Sequence, residues 1–327
     1  MKNSLNIFSA FVSEIHDRVR THDAEELARW AVGELSEQLG FDAAWYGWAD
    51  VRADGVEIYA NASLNLPDHY YNTWQTISDQ DLLAAEIVQN PGGVASYNRN
   101  GKKQTDGMVH LADTYGLEKL VTAMHTRPGR VTSFYISSYR AGLHVRDWSQ
   151  AEREFLQCAV DQLSCAMKLS TSEPGGAPDY GGATIFVNES GIGILGLENM
   201  RRQLGKLWEG WDGDALPDRL RSLINMPGEH ILTDRGLMVF CEAAPRAEGM
   251  GFRRLTLRRI SPVDLLTQRE CEVGRLLAKG HSHKEVARFL GVAPNTVRNQ
   301  TQSIYGKVGV SSRAELAMLF HNQVPRT

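Results

Sequence analysis

Leu266-Thr-Gln-Arg-Glu-Cys-Glu-Val-Gly-Arg-Leu-Leu-Ala-Lys-Gly280, then Ser282-His-Lys-Glu285 and Pro294-Asn-Thr-Val-Arg-Asn-Gln-Thr-Gln-Ser-Ile304, decide how the C-terminal part of this 327-residue chain folds. Thr267 and Glu270 have the spacing of a capping box. The hydroxyl accepts an orphan backbone N–H of a helix start, and the carboxylate three residues on reaches back to the cap. Val273, Leu276 and Leu277 then form an apolar stripe, which Lys279-Gly280 ends. Ser282 and Glu285 repeat the box ahead of Val286, Phe289 and Leu290, which are predicted to point inward, and Gly291 closes that helix. Pro294 suits the first turn of a third helix, where its missing N–H does no harm. Val297, Thr301, Ile304 and Val308 give that helix its inner face. Ser312-Arg-Ala-Glu315 is a third box, opening a last helix with Leu316, Leu319 and Phe320. Gly291-Val-Ala293 is a tight joint between the second and third helices, as a helix-turn-helix requires. The expected fold of residues 262–327 is an all-α, four-helix helix-turn-helix domain.

Charge supports a polyanion partner for this end of the chain. Residues 253–327 carry thirteen Lys/Arg against five Asp/Glu, whereas the preceding 252 residues carry 22 against 34. An acidic body with a basic end confines the attraction for a polyanion to that end.

Read position by position, residues 266–316 resemble the DNA-binding domain of the LuxR/NarL/FixJ family of transcription regulators. The segments that carry the resemblance are Leu266–Val273, Lys284-Glu-Val-Ala287, Thr296-Val-Arg-Asn299 and Ile304-Tyr-Gly-Lys-Val-Gly-Val-Ser-Ser-Arg-Ala-Glu-Leu316. The resemblance implies double-stranded DNA as partner, with the third helix in the major groove. It makes Arg298, Asn299 and Gln302 the base-reading positions. Arg suits guanine O6/N7, and Asn or Gln suits adenine N6/N7. Contact of Asn299 or Gln302 with phosphate or water instead remains open. Lys284, Thr296, Ser303 and Lys307 fall at positions that hold phosphates and so set register. Gln300 stands where many relatives carry His, and Gly306 where a basic or polar residue is commoner. The last helix pairs two copies in the family, so Leu316, Leu319 and Phe320 belong either to a homodimer seam or to the domain's own core.

Upstream, Ser170-Thr-Ser-Glu-Pro-Gly-Gly-Ala-Pro-Asp-Tyr-Gly-Gly182 has a linker composition, and a second break falls near Ser261-Pro262. The expected domains are therefore 1–169, a linker at 170–180, 181–260 and 262–327. In the first, Asp23-Ala-Glu-Glu26 caps a helix with Leu27, Ala31, Leu35 and Leu39 on one side and Gly40 as its stop. Ala43–Ala49 and Val56–Ala62 flank Arg52-Ala-Asp-Gly55 as a hairpin. Val131–Tyr139 follows the turn Arg127-Pro-Gly-Arg130 as a further strand. Ser149-Gln-Ala-Glu152 opens a long helix with Leu156, Val160, Leu163 and Met167 on one side. This pattern predicts an α+β sensor domain. In residues 181–260, Ala183–Val187, Leu237–Ala243 and Arg253–Ile260 read as strands and 199–224 as a polar helical piece, consistent with a small PAS-like α+β module.

The order helix, Leu39-Gly-Phe-Asp42, strand, Leu66-Pro-Asp-His-Tyr-Tyr-Asn-Thr-Trp74, Asp81 and a long helix after Trp148 resembles the autoinducer-binding domain of LuxR proteins, a GAF-related fold. That resemblance spans about residues 20–168. It implies an acyl-homoserine lactone held by counterparts of Tyr70, Trp74 and Asp81, with Tyr replacing an expected Trp and Leu82 an expected Pro. The residues themselves add aromatic density: Trp45, Tyr46, Trp48, Tyr59, Tyr70, Tyr71 and Trp74 lie within thirty positions. Aromatics with a few polar tips line ligand cavities, although the same residues also build cores. The candidate ligand contacts are Trp45, Tyr59, Tyr70, Trp74 and Asp81. The expected function is a DNA-binding transcription regulator controlled by a small-molecule effector and acting as a homodimer. The alternative is control by a protein partner, with the N-terminal domains serving as interaction modules.

Other chemistries find no footing in the residues. An early acidic pair for a phosphorylated receiver domain is lacking, since Asp17 stands alone and Asp50 follows Trp45-Tyr-Gly-Trp-Ala without a companion. His281 and His283 are two apart and do not share a helix face. Gly191-Ile-Gly193 and Gly196 lack the strand–turn–helix and acidic partner of a dinucleotide site. Cys158, Cys165, Cys241 and Cys271 form no CxxC pair. Met1–Ala10 lacks the pattern of a secretory signal, and no run of eighteen apolar residues occurs. The expectation is a cytoplasmic, non-enzymatic protein with no cofactor, no metal and no membrane association.

Overall fold

The structure of the protein, a computed structural model, describes residues 2–52, 55–125, 132–142, 144–170, 182–196, 201–202, 204–211, 213, 215–242 and 250–321. The linker composition at 170–180, the turn at 127–130 and the hairpin tip at 53–54 lie largely or wholly outside the described residues. Two compact units are present: residues 1–176, 183–228 and 241–255 in one, and 177–182, 229–240 and 256–327 in the other.

The first unit begins with α1 (Lys2–Arg18) and α2 (Ala24–Leu39). The predicted capping box is formed, Asp23 accepting from Glu25 and Glu26 N–H while Glu26 returns to the Asp23 N–H, and Gly40 ends α2 at φ +64°. Five strands follow, β1 (Ala43–Arg52), β2 (Gly55–Leu64), β3 (Val94–Asn98), β4 (Leu117–Met124) and β5 (Ser133–Ala141). They assemble in the order β2-β1-β5-β4-β3. The described pairings are antiparallel, with Trp45 opposite Ser137 and Tyr46 opposite Ile136. Between β2 and β4 the chain makes α3 (Tyr70–Gln75), α4 (Leu82–Gln89) and α5 (Asp106–Tyr115), and after β5 comes α6 (Gln150–Ser170).

Side chains alternate across a strand, so this central sheet must cover two faces. On one, Ala44, Tyr46, Trp48, Phe134 and Ile136 pack with Leu27, Ala31 and Leu35 of α2, with Phe11 and Ile15 of α1, and with Leu156, Val160 and Leu163 of α6. On the other, Trp45, Leu120, Tyr135 and Tyr139 pack with Tyr70 and Trp74 of α3, Leu83 and Ile87 of α4, and Met108 and Leu111 of α5. β1 is buried along most of its length, as a strand covered on both sides must be.

The middle region supplies β6 (Ala183–Val187), β7 (Gly193–Leu195), α7 (Asp218–Arg221), β8 (Gly228–Leu232), β9 (Leu237–Cys241) and β10 (Arg253–Arg259). Its sheet order is β7-β6-β10-β9-β8. Both sheets therefore run second, first, fifth, fourth, third in their own chain order, although no repeat is visible in the sequence. Of the polar helical piece expected at 199–224, Arg201, Arg202 and Leu204 are helical, 205–210 form turns, and the one-turn α7 follows, so the described residues do not make one long helix.

In the second unit, residues 261–321 begin with a 3-10 turn at Pro262–Leu265. Ser261 caps it, and the buried Asp264 holds Arg258. Then come α8 (Gln268–Ala278), α9 (His283–Leu290), α10 (Pro294–Val308) and α11 (Arg313–His321). Both predicted boxes at α8 and α9 are formed. One inward assignment fails: Phe289 is 63% exposed, and Ala287 is buried in its place. The inner stripe of this short helix is Val286, Ala287 and Leu290, and position 289 is rotated away from it. The Phe289 ring meets His281 edge-on at 5.0 Å. Among the described residues, no helix is long and apolar enough to cross a membrane.

A buried cation anchors the first unit. Arg140 on β5 is 2% exposed and donates to the carbonyls of Leu39 (2.7 Å), Gly40 (3.0 Å) and Asp147 (3.2 Å) and to Glu152 (2.7 Å). Its guanidinium lies 3.9 Å from the Trp148 ring centroid. The C-terminus of α2, β5 and the start of α6 thus meet on one side chain. Burial alone would push the Glu152 carboxyl up. Hydrogen bonds from Arg146, from Ser149 and from Arg140 outweigh it and bring it down to about 2. Arg140→Met takes the buried donor from the Leu39 and Gly40 carbonyls and leaves Glu152 to Arg146 and Ser149, and is expected to cost about 3 kcal/mol in denaturant unfolding. A loss below about 1 kcal/mol would contradict this role.

Candidate nucleic-acid interface and buried aromatic pocket

α10 is built so that one side is core and the other is free to touch something. Val297, Thr301, Ile304 and Val308 are buried, each three or four positions from the next, among Val263, Val273, Leu277 and Val286. Gly291 joins α9 to α10 at φ +65°, a conformation that a side chain would strain. Two arginines tie the neighbouring helix ends. Arg313 donates to the Leu277 and His281 carbonyls at 2.8 and 2.7 Å, and Arg269 donates to the Leu290 carbonyl at 2.9 Å. Phe320 covers Gly274 so closely that a β-carbon there would sit 2.6 Å from its ring. Leu316 is buried, and Leu319 and Phe320 are half-buried against the same core, so the domain's own interior uses all three.

On the other side of α10, Thr296, Arg298, Asn299, Gln302, Ser303 and Lys307 are all exposed, and Lys284 is exposed at the start of α9. These seven residues differ in what already holds them. Among the described residues, Lys284 and Arg298 have no carboxylate partner. Lys307 Nζ lies 2.8 Å from Glu270 Oε2, and Ser303 Oγ lies 3.1 Å from Glu270 Oε1. Glu270 itself gives no sign in the sequence of a role beyond its capping box. Its carboxyl is drawn down to about 2, chiefly by Lys307, against the opposing effect of burial and with help from Thr267 and Ser303. Gln300 is half-buried, with its Oε1 buried and without a hydrogen-bond partner.

In the first unit, Trp45, Tyr70, Trp74 and Asp81 come together on one face of the central sheet. The Trp45 ring centroid lies 5.4 Å from Tyr70, 5.0 Å from Trp74 and 5.4 Å from Tyr135. Asp81 caps α4, accepting from Leu83 N–H at 2.8 Å and Ala84 N–H at 3.2 Å, and takes the Trp74 indole N–H at 2.8 Å. Burial pushes its carboxyl up, opposed by those three donors. Tyr59 does not join them. It sits one position out of phase with Ile58 on β2, packs toward the opposite face, and hydrogen-bonds Arg52 at 2.7 Å. Tyr59 therefore lies outside the pocket.

The sequence reading missed the β4 and β5 contributions. Thr122, Met124, Tyr135 and Ser137 line the cavity beside Trp45, Trp74 and Asp81, and the alternation within Ser133–Ala141 was the available signal. Thr122 and Ser137 hydroxyls pair at 2.7 Å, and Tyr70 donates to Tyr139 at 3.0 Å. The Tyr135 hydroxyl is buried without a protein partner. The cavity is about 30 Å³, room for about two water molecules. Among the described residues, no group of three or more His, Cys, Asp or Glu is placed to hold a metal ion.

A four-helix arrangement with a tight joint between its second and third members, and an exposed polar face on the third, defines a helix-turn-helix domain. Residues 264–320 match the family described as bacterial regulatory proteins, luxR family, and this C-terminal segment is a domain of that family. The transcriptional regulatory protein UhpA of Escherichia coli is 44% identical over 54 residues, 16% of this chain and 28% of that protein. The transcriptional regulatory protein DegU of Brevibacillus brevis is 27% identical over 117 residues, 34% of this chain and 49% of that protein. The chain spans half or less of the length of these curated relatives. The crystal structure of Escherichia coli SdiA superposes over 97% of this chain and 98% of its own with a TM-score of 0.41 at 14% identity.

Asp81→Ala removes the cap of α4 and the acceptor of the Trp74 indole together. It is expected to destabilise the protein by about 1–3 kcal/mol in thermal or urea unfolding. Unchanged stability would show that neither bond matters in solution.

Proposed function

We propose that the protein is a transcription regulator that binds duplex DNA through the outward face of α10 and is controlled by a small molecule in its N-terminal domain. The observation that carries the first half is the α10 face. Thr296, Arg298, Asn299 and Gln302 stand exposed on a helix whose other side is locked into a core, with the unpaired Lys284 nearby. A rigid helix presenting Arg, Asn and Gln suits base edges in the major groove, and Lys284 and Thr296 suit the flanking phosphates. Arg298→Ala is expected to weaken binding to the protein's own upstream region by about 1–3 kcal/mol and to relax its sequence preference. Equal loss on specific and random duplex would remove the base-reading role.

What supports ligand control is the polar chemistry around the pocket: the buried Asp81, the unpartnered Tyr135 hydroxyl and the Thr122–Ser137 pair beside Trp45, Tyr70 and Trp74. A metabolite needs roughly 300 Å³ or more, so its entry has to move aromatic side chains that now fill the site. Coupling to the DNA domain on the usual scale is about 1–3 kcal/mol. The small size of the cavity favours a second reading, in which a protein partner controls the N-terminal domains. Thermal shift against a metabolite panel separates the two. A ligand at a hundred times its dissociation constant stabilises by about 2.7 kcal/mol, and this gain should fall in Asp81→Asn. No shift from any metabolite, with stabilisation by a captured protein, would favour the second reading.

The same proposal includes a cytoplasmic homodimer and a PAS-like module at 181–260; the strand order that the second sheet shares with the first supports the module alone, whereas the two compact units divide that stretch between them.

A further inference from the structure

We propose that Glu270 keeps Lys307 and Ser303 off the phosphate backbone, acting as a positioning residue that limits the affinity of α10 for random duplex. The inference rests on the DNA-binding reading of α10 and adds a charge that the reading from sequence left out. Glu270 is 8% exposed at the start of α8. Its two oxygens accept from Thr267 N–H (2.9 Å), Thr267 Oγ1 (3.0 Å), Ser303 Oγ (3.1 Å) and Lys307 Nζ (2.8 Å). Three of these donors fall on Oε2 and one on Oε1, so Lys307 shares its acceptor oxygen with the cap. The group remains ionised throughout the neutral range, because these donors hold its carboxyl at about 2.

A phosphate that drew the full charge of Lys307 to itself would have to weaken its pair with this carboxylate. Glu270 would then be buried, charged and short of its strongest donor, which costs more than an exposed phosphate contact returns. Lys307 therefore enters the interface already neutralised and displaces no counterion, whereas Lys284 and Arg298 enter with full charges. Random-duplex affinity comes almost wholly from such charges, and base contacts add on top. Cancelling one charge on the reading helix lowers random binding without touching Arg298, Asn299 or Gln302, and so raises discrimination.

The test is salt titration of duplex affinity with the full chain, on random duplex and on its own upstream region. Glu270→Gln keeps an acceptor for Thr267 but releases one positive charge. Its slope of log affinity against log salt is expected to steepen by about 0.9 on random duplex. The ratio of affinity at 50 mM to that at 200 mM should therefore grow about 3.5-fold over wild type. The double variant Glu270→Gln/Lys307→Gln should return to the wild-type slope. An unchanged slope in Glu270→Gln, or a double variant about 0.9 shallower than wild type, overturns the proposal. Should Glu270→Gln not fold, lysine acetylation of the unaltered chain decides. Duplex should protect Lys284 and leave Lys307 unchanged, and protection of Lys307 overturns the proposal. Wild-type protein that binds no duplex overturns instead the reading on which this rests.

Discussion

Four hydrogen bonds converge on the carboxylate of Glu270, two from the cap of its own helix and two from α10. They link the start of α8 to the second half of α10, and the apolar contacts of Val297, Ile304 and Val308 complete the attachment. A helix held by packing alone keeps some freedom to roll about its axis. An ion pair and a hydroxyl contact on one flank restrict that freedom. The direction in which Arg298, Asn299 and Gln302 project is thereby set before anything binds, and the cost of ordering the face has already been met in folding. The neighbouring arginines do similar work at the ends of the other helices, Arg313 on the carbonyls of Leu277 in α8 and His281 just beyond it, and Arg269 on the last carbonyl of α9.

The N-terminal unit applies the same principle deeper in the fold. Its sheet is covered on both faces, so every polar group near β1 and β5 has to find a partner inside the protein. Arg140 satisfies the end of α2 and the Glu152 carboxylate, and Asp81 satisfies the start of α4 and the Trp74 indole. Among the described residues, the Tyr135 hydroxyl is buried without a hydrogen-bond partner, as is Ser138 Oγ on the same strand. Tyr135 falls beside the cavity formed with Trp45 and Trp74. A polar atom without a protein partner beside a cavity is the kind of position at which a bound molecule has something to gain.

Much of the C-terminal domain was legible because its signals are local. A capping box spans four residues, a C-terminal glycine marks its own turn, and the spacing of Val297, Thr301, Ile304 and Val308 separates the inner from the outer side of α10. Phe289 escaped because hydrophobicity alone assigned it inward on a helix too short for its phase to be clear. The tie from Glu270 to Lys307 spans 37 positions and leaves no trace in local pattern. In the N-terminal unit the aromatic cluster was visible, but its division was not. Trp45 faces one side of the sheet and Tyr46, Trp48 and Tyr59 the other, a consequence of strand register that also excludes Tyr59 from the pocket. Tyr135 and Ser137 come from a strand ninety residues downstream of Trp45, and only the pairing of β1 with β5 brings them beside it. The order of the second sheet is equally non-local, and few cues between 199 and 252 hint at it.

The most direct test of the central claim is methylation of guanine N7 in the protein's own upstream region, with and without saturating protein. If α10 lies in the major groove with Arg298 on a guanine, N7 of one or more guanines in the bound site should become resistant to methylation. Saturated binding that left every guanine N7 as reactive as in free duplex would contradict it.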